Sequence, residues 1–87
     1  MDVDAVTKRL KRIEGQVRGI IRMVEDDRPC EEIITQIGSA KAALHKAGQI
    51  VFEGHLEHCV LDGIRAGDGK AVIKRLSVTV EQFSRIV

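Results

Sequence analysis

Two cysteines and two histidines are the side chains best suited to ligand chemistry in this chain. His55 and Cys59 are four residues apart, so on a helix they project from one face and can bind the same metal ion. His58 lies between them in sequence and is expected to face solvent. The other thiol, Cys30, precedes His55 by 25 residues. The central question is therefore whether Cys30 can reach the His55 and Cys59 pair.

Cys30 can join that pair only across two chains, provided that the helix between them is unbroken. Twenty-five residues of helix rise about 37 Å. In an antiparallel pair of identical helices, facing residues have numbers with a constant sum. Placing Cys30 opposite His55 and Cys59 requires a sum of roughly 85 to 89 at this helical rise, which puts the two-fold axis near Ala43 and Leu44. The spacing predicts a dimer with two equivalent sites, each built from both subunits.

Two thiolates and one imidazole form a soft, three-coordinate ligand set. Such sets select Cu(I), whereas Zn(II) prefers a fourth ligand. His58 or water could supply that ligand, so the ligand count also admits zinc or nickel. Cys30 is predicted in the first turn of its helix, where the dipole favours the thiolate. That position suits metal binding, and it equally suits attack on an oxidant or a persulfide.

Less specific readings of these residues remain open. A cytosolic cysteine is often a small buried hydrophobe, and a run of basic residues is often only a solvated face. An enzyme with a cysteine nucleophile and His55 as base is not supported, because no glycine-rich phosphate loop, carboxylate pair or pocket-forming aromatic accompanies them. A passive helical assembly or a copper-storage protein is a further alternative. We therefore expect no enzymatic activity.

Three helices are predicted to position these groups. The first carries apolar residues at alternating steps of three and four, which is typical of an amphipathic helix: Val3, Val6, Leu10, Ile13, Val17, Ile20 or Ile21, and Val24. Residues 26–29 interrupt it, and a second helix is predicted from about Pro29 to about Ala66, with a stripe through Ile37, Leu44 and Val51. Gly67-Asp68-Gly69 is a stop signal. A third helix follows, whose stripe ends at Phe83 and Ile86 or Val87.

Size and composition place these helices in one domain, residues 1–87, of the all-α class. The chain has no Trp or Tyr and only two Phe, so the core must come from aliphatic residues. A chain this short often needs oligomerisation for stability, and a 37-residue helix cannot be covered by one protomer. No membrane span or signal-peptide pattern is present in the sequence. We expect a cytoplasmic protein with reduced thiols that does not associate with membranes.

Charge is segregated along the chain although the formal net charge is only +1. Residues 8–22 contain six basic side chains and one acid, Glu14, whereas residues 29–68 sum to −3. Lys8, Lys11, Arg18 and Arg22 share one stripe of the first helix. Such a stripe suits contacts with nucleic-acid phosphates.

The chain resembles the CsoR/RcnR/FrmR family of small all-helical bacterial repressors over nearly its whole length. The stretch Arg9–Ile20 is similar to the family's N-terminal helix signature. Pro29-Cys30, Thr35-Gln36-Ile37 and the stretch Gly54–Val60 are similar to its second-helix motifs. Copper sensors of the family carry Cys, then His 25 residues later, then Cys four residues after that. Cys30, His55 and Cys59 match both spacings.

The resemblance implies a Cu(I)-responsive repressor that binds operator DNA without metal and is released when Cu(I) bridges two subunits. It implies a three-helix protomer, an antiparallel dimer with a four-helix core, and a homotetramer formed by two dimers. It assigns DNA binding to Arg9 and Lys46, with phosphate contacts from Lys8, Lys11, Arg12 and Arg18.

Two positions depart from the copper-sensing pattern that the resemblance implies. Pro29 stands where copper sensors often have Tyr, and Arg75 stands where they tend to have Glu. The family's Tyr and Glu are thought to hydrogen-bond the metal-bound His and relay binding to the DNA face. A persulfide, a polysulfide or another metal such as Ni(II) or Zn(II), acting through the same residues, is therefore the alternative inducer.

Overall fold

The fold is all-α, as predicted. The computed structural model describes residues 1–85, which form three helices: α1, Val3–Glu25; α2, Cys30–Ala66; and α3, Gly69–Ser84. Residues 1–85 contain no strand. Within the same range, no helix is both long and apolar enough to cross a membrane. The three predicted helices are confirmed, and Ile86 and Val87, predicted on the third stripe, lie outside the described residues.

The two interhelical breaks follow from residues that end or begin helices. Asp27 takes a positive φ of 54° after α1, and Gly67 takes a φ of 69° after α2, a conformation that costs glycine little. The Asp68 carboxylate accepts a hydrogen bond from the Ala71 backbone N–H and caps α3. Helix α2 begins one residue later than the predicted Pro29, whose carbonyl accepts the Glu32 N–H at 3.0 Å.

Residues 2–47 form one compact unit, made of α1 and the N-terminal part of α2. Asp2 caps α1 by accepting the Ala5 backbone N–H. The short connection at residues 26–29 returns the chain, so that α2 runs back along α1. The Gln16 Nε2 donates to Ser39 Oγ at 3.0 Å across the two helices. This hydrogen bond gives the register of the helix pair.

The second unit consists of residues 48–85 together with Met1. The Phe52 and Phe83 rings stack at a centroid separation of 4.8 Å, which joins α2 to the end of α3. Near the other end of α3, Gly63 lies directly against the Val72 side chain, so a Cβ at Gly63 would overlap it. A glycine is required there because the two helices approach closely.

The predicted apolar stripes are only partly buried in one protomer. Val6 and Ile13 of α1 are buried, whereas Leu10 and Val17 of the same stripe are each 44% exposed. On α2, the small Ala47 is buried, whereas three larger apolar residues of the stripe are exposed: Ile37, Leu44 and Val51. Each apolar face is wider than the surface that one neighbouring helix covers, so several of its residues remain in contact with solvent.

Candidate metal and nucleic-acid sites

His55 and Cys59 lie one turn apart on α2, as their spacing predicts, but in different surroundings. His55 is exposed, whereas Cys59 is only 5% exposed. Both residues belong to the unbroken helix Cys30–Ala66. The pair therefore offers a solvent-accessible imidazole beside a largely shielded thiol, and His58 is exposed on the same turn.

Cys59 lines a small cavity of about 170 Å³ between α2 and α3. Arg75 of α3 and Asp62 of α2 also line this cavity. The remaining lining residues are Gly63, Ala66, Asp68, Ala71 and Val72. The resemblance drew attention to Arg75, but the sequence reasoning missed Asp62. The signal was present in the sequence, because residues 59, 62, 63 and 66 follow the spacing of one helical face.

Cys30 is the first residue of α2 and is exposed. It is a free thiol, as is Cys59. Within residues 1–85 of a single protomer, no three His, Cys, Asp or Glu side chains are grouped so that they could hold a metal ion. This agrees with the geometric argument that Cys30 cannot join His55 and Cys59 within one chain.

The five basic residues predicted on α1 are all exposed, but they occupy two sides of the helix. Successive helical residues are about 100° apart, which places Lys8, Lys11, Arg12 and Arg18 on one broad face. Arg9 points away from the middle of that face. Of the six α1 cations, these four and the exposed Arg22 therefore share one face and Arg9 lies to one side of it, a division that the charge count alone did not give.

Arg9 and Lys46 lie at the same level of the α1–α2 pair. Arg9 precedes Gln16 by seven residues, and Lys46 follows Ser39 by seven. Seven residues are close to two helical turns, so the step from the Gln16–Ser39 hydrogen bond to Arg9 and Lys46 keeps both on the same side. Both side chains are exposed. The antiparallel register thus brings two positive charges, 37 positions apart in sequence, to one patch.

Arg18 differs from the other cations of α1 because it has an acidic partner. Its Nη2 donates to Glu14 Oε1 at 2.6 Å, and both side chains are about two-thirds exposed. An exposed i, i+4 pair of this kind contributes only a few tenths of a kcal/mol. The pairing nevertheless lowers the local positive charge, so Arg18 is the weakest phosphate-binding candidate of the six.

Comparison with known proteins identifies the class to which these sites belong. A family model described as metal-sensitive transcriptional repressor matches residues 2–85. The copper-sensing transcriptional repressor CsoR of Bacillus subtilis is 46% identical over 82 residues, which cover 94% of this chain and 81% of that protein.

Two solved structures share the fold over 95% of this chain. The copper-sensing repressor CsoR with Cu(I), from Geobacillus thermodenitrificans, has a TM-score of 0.86 at 44% identity, and 86% of its chain is covered. The nickel-responsive transcriptional regulator InrS has a TM-score of 0.87 at 26% identity, with 93% of its chain covered. These relatives are transcriptional regulators and not enzymes, which confirms the expectation of no enzymatic activity. The chain belongs to the family of metal-sensitive transcriptional repressors, and its resemblance to the CsoR/RcnR/FrmR proteins is confirmed.

Proposed function

We propose that residues 1–87 act as one domain of a Cu(I)-responsive transcriptional repressor in the bacterial cytoplasm. Without metal it binds operator DNA, and Cu(I) releases it by binding Cys30 of one subunit with His55 and Cys59 of the other. The observation that carries the proposal is the shielded Cys59 thiol one turn from His55, in a member of a metal-sensing family whose relatives include copper sensors.

The donor set fits Cu(I) better than it fits harder metals. Two thiolates and one imidazole satisfy a three-coordinate monovalent ion, and soft sulfur ligands favour Cu(I). Burial of Cys59 keeps water, the usual fourth ligand of Zn(II), away from one side of the site. Cys30 is exposed at the start of α2 and is available to a second subunit.

An antiparallel dimer is supported by the exposed residues of α2. Ile37, Leu44 and Val51 are 50%, 49% and 41% exposed and are spaced by seven residues, so they form one apolar stripe. The stripe is centred on Leu44, where the ligand spacing requires the two-fold axis. Pairing through this stripe brings Ile37 opposite Val51 of the second chain and removes apolar surface from water. Two such dimers form the proposed homotetramer.

DNA binding is supported by the patch that Arg9 and Lys46 share and by the stripe of Lys8, Lys11, Arg12 and Arg18. Like charges placed together repel each other, so an anionic partner stabilises the arrangement. Phosphates bound by lysine and arginine release counterions, which makes the affinity fall steeply with salt. Neither group includes an aromatic side chain, so recognition through DNA shape is favoured over base reading.

The test is an anaerobic titration followed by DNA binding. The operator is first selected from fragmented genomic DNA with the metal-free protein, and its affinity is measured by fluorescence anisotropy. Cu(I), Zn(II), Ni(II) and polysulfide are then added separately at equal stoichiometry. We expect Cu(I) to weaken operator binding by at least about tenfold, an allosteric coupling of ordinary size. Failure of Cu(I) to bind or to release DNA contradicts the proposal.

A second candidate inducer is favoured by Pro29 and Arg75, which stand at positions where copper sensors tend to have Tyr and Glu. In this version the Cys30 thiolate attacks an external polysulfide, keeps one sulfur as a persulfide and releases the shortened polysulfide. The Cys59 thiolate of the other subunit then attacks the inner sulfur of that persulfide, which forms a disulfide between the subunits and releases hydrosulfide; insertion of further sulfur from polysulfide gives a polysulfide link instead. Release of DNA by polysulfide alone, with a covalent link between subunits seen by mass spectrometry, supports it over copper. Release by Zn(II) or Ni(II) alone supports a sensor of those metals.

A further inference from the structure

Arg75 is the cation among the residues that line the cavity beside Cys59. It lies on α3, and with Cys59 it lines the cavity of about 170 Å³ between α3 and α2. Among the interactions within residues 1–85, its guanidinium has no ion pair. Three other lining residues are small and apolar: Ala66, Ala71 and Val72. Arg75 is exposed, so water screens its charge in part.

The metal complexes that this site could hold differ in net charge. Cu(I) with two thiolates and a neutral imidazole carries a charge of −1, because one positive charge meets two negative ones. Zn(II) or Ni(II) with the same ligands is neutral, and so is a disulfide or polysulfide between the two sulfurs. Starting from the metal-free site with both thiols protonated, each metal displaces two protons, so the site gains one negative charge with Cu(I) and none with Zn(II). A nearby positive charge therefore raises the affinity for Cu(I) selectively.

The other charged residues that line the cavity are acidic, so they oppose a negatively charged complex. Asp62 and Asp68 also line it, and the Asp68 carboxylate is already engaged as the cap of α3. Without Arg75 the charged residues lining the cavity would all be negative, and they would repel an anionic complex on Cys59. With Arg75 present, that repulsion is offset on the α3 side.

We propose that Arg75 is the counter-charge of an anionic bis-thiolate Cu(I) complex and selects the monovalent ion over divalent metals. This inference rests on the proposed function, since it assumes that Cys59 binds the inducer. The arginine at this position, where copper sensors of the family tend to have glutamate, thereby contributes to metal selectivity. Arg75 acts through the field at Cys59 and is not itself a ligand.

The experiment measures Cu(I) and Zn(II) affinities by anaerobic competition with chelators for the intact protein and four variants. Arg75→Gln should lower Cu(I) affinity by about fivefold, the order expected for one partly screened nearby charge, and change Zn(II) affinity less than about twofold. Arg75→Lys keeps the charge and should retain most of the Cu(I) affinity. Asp62→Asn removes a negative charge from the residues lining the same cavity and should raise Cu(I) affinity.

Lys74→Gln is the matched control, because it removes an exposed charge from the adjacent α3 position that does not line the cavity. Circular dichroism and thermal unfolding establish that each variant is folded. Equal losses of Cu(I) and Zn(II) affinity in Arg75→Gln, or no loss of either, would overturn the counter-charge role. If the unaltered protein binds no Cu(I), the proposed function itself fails, so the two failures are distinguishable.

Discussion

The two compact units of this chain differ in where their charged and polar side chains lie. Residues 2–47 bury Val6, Ile13 and Ala47 and display cations on two sides of α1 and on α2. Residues 48–85 shield the Cys59 thiol beside a small cavity with Arg75 in its wall. The first unit suits a polyanionic surface, and the second suits a small ligand. We therefore expect mutations that abolish ligand sensing and keep DNA binding, and others that do the reverse, although α2 runs through both units.

The largest expected effect comes from removing a proposed metal ligand. Cys59→Ala or His55→Ala should abolish Cu(I)-dependent release of DNA, because two ligands cannot hold Cu(I) as three do. Metal-free operator affinity should change less than about twofold, as no phosphate contact is removed. His58→Ala is the control, since His58 is an exposed histidine of the same turn. Fluorescence anisotropy with and without Cu(I) measures both effects. An unchanged copper response in His55→Ala would contradict the assigned ligand set.

The next largest effect tests the packing that shapes the cavity. Gly63→Ala should lower the free energy of unfolding by about 1–3 kcal/mol, because the added methyl group overlaps the Val72 side chain. Val72→Ala in the same chain should recover part of this loss. Gly19→Ala on α1 is the matched control: nothing lies within 4 Å of the added Cβ, so it should stabilise by up to about 1 kcal/mol. Urea unfolding measures all three, and equal effects at Gly63 and Gly19 would contradict the close approach of α2 and α3.

A smaller loss is expected at the DNA patch of the first unit. Arg9→Ala or Lys46→Ala should each lower operator affinity by about tenfold and reduce the salt slope by about one, while Cu(I) affinity stays the same. Lys41→Ala is the control, as Lys41 is an exposed cation of the same unit on another side of α2. The measurement is anisotropy at several salt concentrations. If Lys41→Ala weakens binding as much as Lys46→Ala, the charge acts diffusely and not through a defined patch.

The smallest effect concerns the ion pair within the basic stripe. Glu14→Gln frees Arg18 from its acidic partner and should strengthen DNA binding by about two- to threefold at low salt. Stability should change by no more than about 0.5 kcal/mol, because the pair is exposed. Glu81→Gln, which frees Arg85 at the C-cap of α3, is the matched control and should leave DNA binding unchanged. Weaker DNA binding by Glu14→Gln would show that Glu14 supports the interface in another way.

Several features of the molecule were predictable from local sequence signals. The breaks at residues 26–29 and at Gly67 were visible because Asp, Pro and Gly act on the backbone within a few residues. The shared face of His55 and Cys59 followed from helical periodicity alone. The impossibility of a three-ligand site in one chain followed from the rise per residue of a helix.

Other features depended on contacts between helices. The apolar stripe of α1 predicted burial for Leu10 and Val17 as much as for Ile13, yet only Ile13 is covered. Periodicity identifies an apolar face. How much of that face is covered depends on where the neighbouring helix packs. The same reason explains why the Arg9 and Lys46 patch required the Gln16–Ser39 register to be recognised.

The sequence by itself determined the three helices, the one-turn spacing of His55 and Cys59, and the distance along α2 that separates Cys30 from that pair within one chain. These depend on backbone preferences and on distances along one helix, which are local properties. Only the tertiary structure decided that Cys59 is shielded, that Arg75 and Asp62 line its cavity, and that the Gln16–Ser39 register sets Arg9 and Lys46 at the same level of the helix pair. Those relations join residues of different helices, and they depend on how the helices pack, which no spacing within a single helix specifies.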